Sequence, residues 1–268
     1  MRSEAILLRS VDFAESDRIV HLLTPSSGRV TALAKGARRS FKRFPGTLDV
    51  FNHLQVQLER SRRQSMARLD AAVLVEPFVS LRKLPARYAL ASYLLELFDR
   101  MAPEGLARPD AQRLFGCALG SLHVIAGSSP DLRLRVLLEL RALDALGLRP
   151  ELAHCVRCGS EAQGRVGFHI ADGGVLCGAC NLRTERGIDV HLGTLRALDR
   201  ALQLDLDRLD RLVLGGAAVA EAAQLVTRFL RFHVGIELRS EAFLGEILAA
   251  PPAGLAAPAR MSDTRAPR

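Results

Sequence analysis

Four of the five cysteines stand in two C-x-x-C pairs, Cys155-Val-Arg-Cys158 and Cys177-Gly-Ala-Cys180, eighteen residues apart. A C-x-x-C turn aims two sulfurs at one point, and two such turns complete a tetrahedron around a zinc ion. The gap fits the C-x2-C-x15–20-C-x2-C pattern of zinc sites. Gly159, Gly173, Gly174 and Gly178 supply tight turns beside the sulfurs. Four thiolates leave no open coordination position, so one structural Zn2+ per chain is expected and not a catalytic one. Two disulfides would need an oxidising compartment, and a redox C-x-x-C needs only one pair. His154 and His169 are nearby substitute ligands. Cys117, in RLFGCALGSL, reads as a small buried core residue.

A second cluster is cationic. The stretch AKGARRSFKRFPG holds Lys35, Arg38, Arg39, Lys42 and Arg43 with no acid, interleaved with Phe41 and Phe44. The turn ERSRRQ adds Arg60, Arg62 and Arg63. The whole chain carries a formal charge of +8, nearly all of its cations being arginine, a bias that genome composition alone can produce. Distribution is the stronger signal. Residues 35–68 hold nine cations against Asp49 and Glu59, so a local excess of seven sits in one short window. Such a window suits an anionic partner, nucleic acid first. The eight cations of loop and turn are candidate phosphate contacts. Phe41 and Phe44 are candidates for base stacking, or for pinning the loop to the body of the protein.

Other chemistry is absent from the sequence. It holds no G-x-x-x-x-G-K-[ST], no G-x-S-x-G and no H-E-x-x-H, the patterns of P-loop hydrolysis, serine nucleophiles and zinc proteases. The H-x-E with P-C-x-x-C set of zinc deaminases is missing as well. No catalytic residue is expected. No apolar run approaches the roughly 20 residues that cross a bilayer, and the N-terminal MRSEAILLRSVDF lacks a signal core. At 49% hydrophobic and 25% charged residues, the chain reads as a soluble cytoplasmic protein, associated with the nucleoid if DNA is its partner.

The elements that must position these residues fall in two blocks. Short strands are expected at Glu4–Val11, Asp17–Thr24, Arg29–Lys35, Val50–Glu59 and Ser65–Val75, with PSSG as a turn. From Val50 to Glu59 apolar and polar residues alternate, Asn52 excepted. Five strands without a long helix imply a small barrel. From about Ser80 the period becomes helical: Leu81, Leu84, Tyr88, Ala91, Leu95, Phe98 and Met101 share a face. Further helices are expected at Pro109–Gly127, Leu132–Leu146, Thr194–Leu202, Ala217–Gly235 and Glu241–Leu248. Ser129 and Pro130 serve as N-cap and first residue of the third, with Gly147 as its stop. The tail from Ala249 is poor in large apolar residues and reads as disordered.

A basic loop before strand four and a basic turn before strand five point to an OB-fold, which holds single strands in a positive groove lined with aromatic rings. The start EAILLRSVDFAESDRIVHLLTPSSGRVTALAKGARRS, the helix YLLELFDR, LLELRALDALGLRPELAHCVRCGS with GGVLCGAC, and FLRFHVGIELRSEAFL together resemble the RecO recombination mediator family over about residues 3–248. That resemblance implies an α+β, multidomain chain. A five-stranded OB-fold barrel would occupy 1–78 and an all-helical domain 79–248, with an inserted four-cysteine zinc finger at about 150–185 and the tail at 249–268. It implies binding of single- and double-stranded DNA, annealing of complementary strands, and loading of RecA onto strands coated by single-stranded-DNA-binding protein. RecR, RecF and the acidic C-terminal tail of that coating protein are the implied partners. Arg133, Arg135 and Arg141 are candidates for the tail. A zinc-bearing protein adaptor with incidental nucleic-acid affinity is the competing reading.

Overall fold

The computed structural model describes residues 1–40, 42–60, 66–182 and 187–249. The expected disordered tail lies outside them, apart from Ala249. Five strands come first: β1 (Arg2–Phe13), β2 (Asp17–Thr24), β3 (Gly28–Ala34), β4 (His53–Glu59) and β5 (Ala67–Glu76). They close into a barrel of order β1-β2-β3-β5-β4, with β4 returning to β1. All pairings are antiparallel except β3 with β5, joined at Ala32–Ala67 and Leu33–Arg68. This is the five-stranded Greek-key barrel that the strand pattern predicts.

Ala5, Leu7, Val20, Leu22, Leu54, Val56 and Leu69 fill the barrel interior. The alternate residues of β1, Ile6 and Leu8, are also buried, together with Leu23 and Phe51, in a second and larger core shared with the helices. Burial on both faces explains why β1 reads as a continuous apolar run and not as an alternation. A bulge between Leu7 and Arg9 bends the strand where it leaves the barrel seam.

The fourth strand starts later than its alternation predicts. Phe51 takes φ +73, a conformation that breaks a ladder. Its N–H donates to Leu7 O at 3.2 Å, and Leu7 N–H donates to Asn52 O at 3.0 Å. Asn52, the polar exception, is buried but satisfied: it donates to Thr47 O at 2.9 Å and accepts from Arg82 at 3.2 Å. Arg82 also donates to Pro77 O at 2.5 Å and Val50 O at 2.6 Å, and its guanidinium lies 5.4 Å from the Phe51 ring. One arginine thus ties the barrel to the first helix.

The second block contains α1 (Val79–Lys83), α2 (Pro85–Met101), α3 (Arg108–Gly127) and α4 (Leu132–Ala145). A small sheet follows, of β6 (Val166–His169), β7 (Gly174–Cys177) and, beyond the short α5 (Gly178–Asn181), β8 (Ile188–Val190). The chain closes with α6 (Leu192–Gln203), a 3-10 turn at Leu206–Arg211, α7 (Gly216–Val234) and α8 (Ser240–Ala249). Pro85 is the first residue of α2, where its missing N–H is harmless. The N-cap of α4 is Asp131, whose carboxylate accepts from Leu134 N–H at 2.7 Å, and not Ser129. A carboxylate at the positive end of a helix dipole outcompetes the hydroxyl two residues upstream. Gly147 stops α4 as expected. It takes φ +81, its N–H reaches Asp144 O, and Leu148 N–H reaches back to Leu143 O at 2.8 Å, a Schellman closure.

The joint between barrel and helices is polar as well as apolar. His21 Nδ1 lies 2.5 Å from Asp99 Oδ1, and Arg29 donates to Asp99 O at 3.0 Å. At Gly28, with φ +69, an added Cβ would meet Pro103 O at 2.6 Å, so only glycine lets the two backbones approach.

Candidate metal centre and nucleic-acid interface

The metal centre is built by two hairpin knuckles. The first is the loop before β6. Cys155 N–H donates to Ser160 O at 2.8 Å, Gly159 N–H returns to Cys155 O at 2.8 Å, and Gly159 takes φ +74. The second is the end of β7, where Cys177 precedes α5 and Cys180 lies one turn on. The knuckles are sewn together by Val156 N–H to Val175 O at 3.0 Å and by the exchange of Glu151 with Gly173 and Val175. Gly174 permits that approach: a Cβ there would stand 2.8 Å from Glu151 Cβ and 2.4 Å from Val156 Cγ1.

All four sulfurs lie within 4.8 Å of one another, and Cys158 Sγ is 3.7 Å from Cys177 Sγ. A tetrahedron with metal–sulfur bonds of about 2.3 Å has edges of about 3.8 Å, so the donor set fits a metal ion. Its electrostatics agree. Burial pushes the Cys155 thiol up, but N–H groups of Cys177, Arg157 and Cys158 outweigh it and hold the pKa below the ordinary thiol value. The Ser160 hydroxyl and N–H do the same for Cys158, and the Cys180 N–H for Cys177. Cys180, hydrogen-bonded to the sulfurs of Cys177 and Cys158, is pushed up to about 12. Three of the thiols are thus held below the ordinary value and the fourth above it, and a bound cation would favour the thiolate form of all four. His169 is engaged with Asp172 at 3.0 Å and His154 lies beside Glu151 at 3.9 Å, so neither joins the cluster. Cys117 is buried as expected, with burial lifting its thiol to about 11. The sheet that carries the knuckles is three-stranded, and its last strand, β8, lies beyond the expected edge near 185. His233 of α7 fastens it at Ile170 O, 2.7 Å away, and Phe168 packs on Phe229 with ring centres 6.1 Å apart.

The basic loop leaves β3 and folds over the β1–β2 turn. Gly36 N–H donates to Asp17 Oδ1 at 2.8 Å and Arg38 N–H to Ser16 O at 3.0 Å. Arg38 Nε lies 3.6 Å from Asp12 Oδ2. Arg43 donates to Lys35 O at 2.6 Å, its guanidinium stands 5.3 Å from the Phe44 ring, and its carbonyl accepts from Ala72 N–H at 3.2 Å. Phe44 itself is 5% exposed and belongs to the barrel core. That corrects its reading as a base-stacking residue: its ring is spent on bracing the loop. Arg38 and Arg43 are likewise struts as much as free charges. Lys35, Arg39 and Lys42 are exposed and make no ion pair among the described residues. Arg60 is exposed and lies 4.0 Å from Glu104. Phe41, Arg62 and Arg63 lie outside the described residues.

The three helix arginines are inside the structure's own network. Arg141 caps the end of α6 at Leu202 O, 2.5 Å, and Leu204 O, 3.1 Å. Arg133 donates to Leu212 O at 2.7 Å. Arg135 pairs with the buried Glu139 at 2.8 Å and covers the Tyr93 ring at 5.1 Å. Sequence reasoning missed Asp12 and Asp17, the acids that receive the loop. Their signal was the short acidic turn DFAESD, opposite the cations once β2 and β3 are paired.

Comparison with known proteins agrees with this arrangement. Residues 1–78 match the family model described as recombination protein O N terminal, and residues 82–242 match recombination protein O C terminal. The DNA repair protein RecO of Anaeromyxobacter dehalogenans strain 2CP-C is 36% identical over 243 residues, 90% of this chain and 94% of that protein. The RecO of Symbiobacterium thermophilum is 36% identical over 252 residues, 92% and 97% of the two chains. That of Myxococcus xanthus is 34% identical over 244 residues, 91% and 96%. The matches run through the barrel and the helices alike, and the chain belongs to the recombination protein O family.

Proposed function

We propose that the chain is a non-enzymatic recombination mediator of DNA repair, acting in the cytoplasm at the nucleoid. It binds single- and double-stranded DNA, anneals complementary strands, and helps place RecA on strands coated by single-stranded-DNA-binding protein. RecR, RecF and the acidic tail of the coating protein are its proposed partners. The observation that carries this reading is the loop: Lys35, Arg39 and Lys42 are exposed without ion pairs among the described residues, on a segment braced from within by Phe44 and Arg43. A held loop keeps its cations in register at little further entropic cost, which suits a backbone of regularly spaced phosphates.

The mechanism is electrostatic. Two complementary strands repel each other. A basic surface that holds both screens the repulsion and raises their local concentration, and no bond is made or broken. The metal centre's part is structural. We propose Zn2+ as its ion, one per chain, held by Cys155, Cys158, Cys177 and Cys180. When bound it fixes the two knuckles on α7, leaving no position for substrate.

The test is annealing of oligonucleotides pre-coated with single-stranded-DNA-binding protein, by wild type and by a Lys35→Ala, Arg39→Ala, Lys42→Ala variant. The variant should anneal at least about ten-fold more slowly, with a salt dependence shallower by about 2 logarithmic units per decade. Equal rates and slopes would instead support the protein-adaptor reading.

A further inference from the structure

Helix α2 is buried along most of its length, but Tyr88, Ser92, Glu96 and Arg100 recur every four residues as one partly open stripe. Residues at that spacing line one helix face. The stripe floors a cleft of about 460 Å3 whose walls are Leu8 and Arg9 of β1, and Arg239 and Ser240 where α8 begins. Its acids are already committed. Glu96 accepts Arg239 N–H and Ser240 N–H, both at 2.9 Å, and the Ser240 hydroxyl at 2.5 Å, so the start of α8 is capped. Asp99 is taken by His21 and Arg29. Arg9, Arg100 and Arg239 remain exposed, with no ion pair among the described residues. Arg100 favours the Glu96 charge from a distance without bonding to it. The Tyr88 ring, 41% exposed, is held edge-on to Phe51 at 5.4 Å.

The cleft does not stand alone. Beyond Arg9, the outer face of β1 presents Val11 and Phe13, 41% and 46% exposed. Asp12, between them and on the opposite face of the strand, is the residue that Arg38 of the basic loop meets. Arg9 and Asp12 are three steps of strand apart, roughly 10 Å.

We propose that this cleft continues the nucleic-acid track: a single strand gripped at the loop runs along β1 past Phe13 and seats its phosphates among Arg9, Arg100 and Arg239, with a base against Tyr88. The proposal rests on the nucleic-acid reading of the loop. A strand carries phosphates and bases at regular intervals, matching cations and rings that recur along one path. A short acidic peptide would use the cleft alone.

The test is salt titration of the full chain with labelled oligothymidines of about 3 and about 25 nucleotides, the shorter too short to engage loop and cleft together and the longer exceeding both. An Arg9→Ala, Arg100→Ala, Arg239→Ala variant should bind the longer strand with a slope shallower by about 2, three contacts at about 0.7 each, and leave the shorter one unchanged. Tyr88→Leu should weaken the longer strand about five-fold or more, and Tyr88→Phe should restore it. The loop variant should weaken both lengths. An unchanged long-strand slope in the cleft variant, with the loop variant impaired, overturns the track and leaves the loop reading standing. If the cleft variant weakens both lengths and the loop variant neither, the loop reading falls and the continuous track with it. A ten-residue acidic peptide that binds the cleft without competing with the longer strand would also overturn the proposal.

Discussion

The cysteine knuckles and the basic loop each crowd one chemistry into a short span, yet they use their members differently. The four sulfurs all converge within 4.8 Å of one another. The loop divides its cations: Arg38 and Arg43 hold the loop to the barrel, while Lys35, Arg39 and Lys42 face solvent. The difference lies in the ligand each can serve. A metal ion demands every donor at one point, so spacing alone specifies the site. Phosphates accept any cation in reach, so composition alone cannot say which arginine is a strut and which is a contact.

The strongest break in that comparison is at the metal. Cys155→Ser should lower bound zinc from about one per chain to near zero and release the β6–β7–β8 sheet, since a structural zinc site is worth on the order of 10 kcal/mol. Metal analysis and hydrogen exchange read both effects, and chelation of the wild type should reproduce them. A sheet that stays protected without metal would make the knuckles self-sufficient.

Next comes the brace. Phe44→Ala should cost about 3–5 kcal/mol of stability, and Phe44→Leu less than about 1.5. A base-stacking role would show the reverse pattern, lost affinity with the melting temperature intact. The free cations follow. Lys35→Ala, Arg39→Ala and Lys42→Ala together should flatten the salt dependence by about 2 while moving stability by less than about 0.5 kcal/mol per site. The smallest effect belongs to a strut. Arg38→Ala removes an exposed pair with Asp12 and should cost about 0–1 kcal/mol, with a slope change below about 0.7. If it matched the triple variant, the division between struts and contacts would be wrong.

Much of this was legible in the chain. Alternation and turn residues place β2 to the residue and the other four barrel strands within three, because a barrel wall must show one face to the core; the short strands β6, β7 and β8 gave no such signal. The knuckles were legible because their spacing is itself the geometry. What escaped was whatever depends on a distant neighbour. The start of β4 is set by Phe51 turning at φ +73 to meet Leu7, more than forty residues away in sequence. Asp131 caps α4 although Ser129-Pro130 matches the usual start signal, because the chain is still extended at Asp131 and its carboxylate takes the Leu134 N–H. Phe44 looked like a loop residue because nothing in its neighbours reveals that Ala72 draws Arg43 into the sheet. The α2 stripe repeats every four residues in plain sight, but its openness follows only from where β1 and α8 stop short of it.

The core that Ile6, Leu8, Leu23 and Phe51 share with the helices has a mechanical meaning. Two bodies joined by a flexible tether can swing and absorb a pull. Here the barrel wall is also a wall of the helical core, and Arg82 and Asp99 lock its rim. Were a strand held at the loop, tension on it would turn the whole molecule and not bend it at a hinge. Whatever the barrel and the helices each grip is kept at a set spacing, as by a ruler.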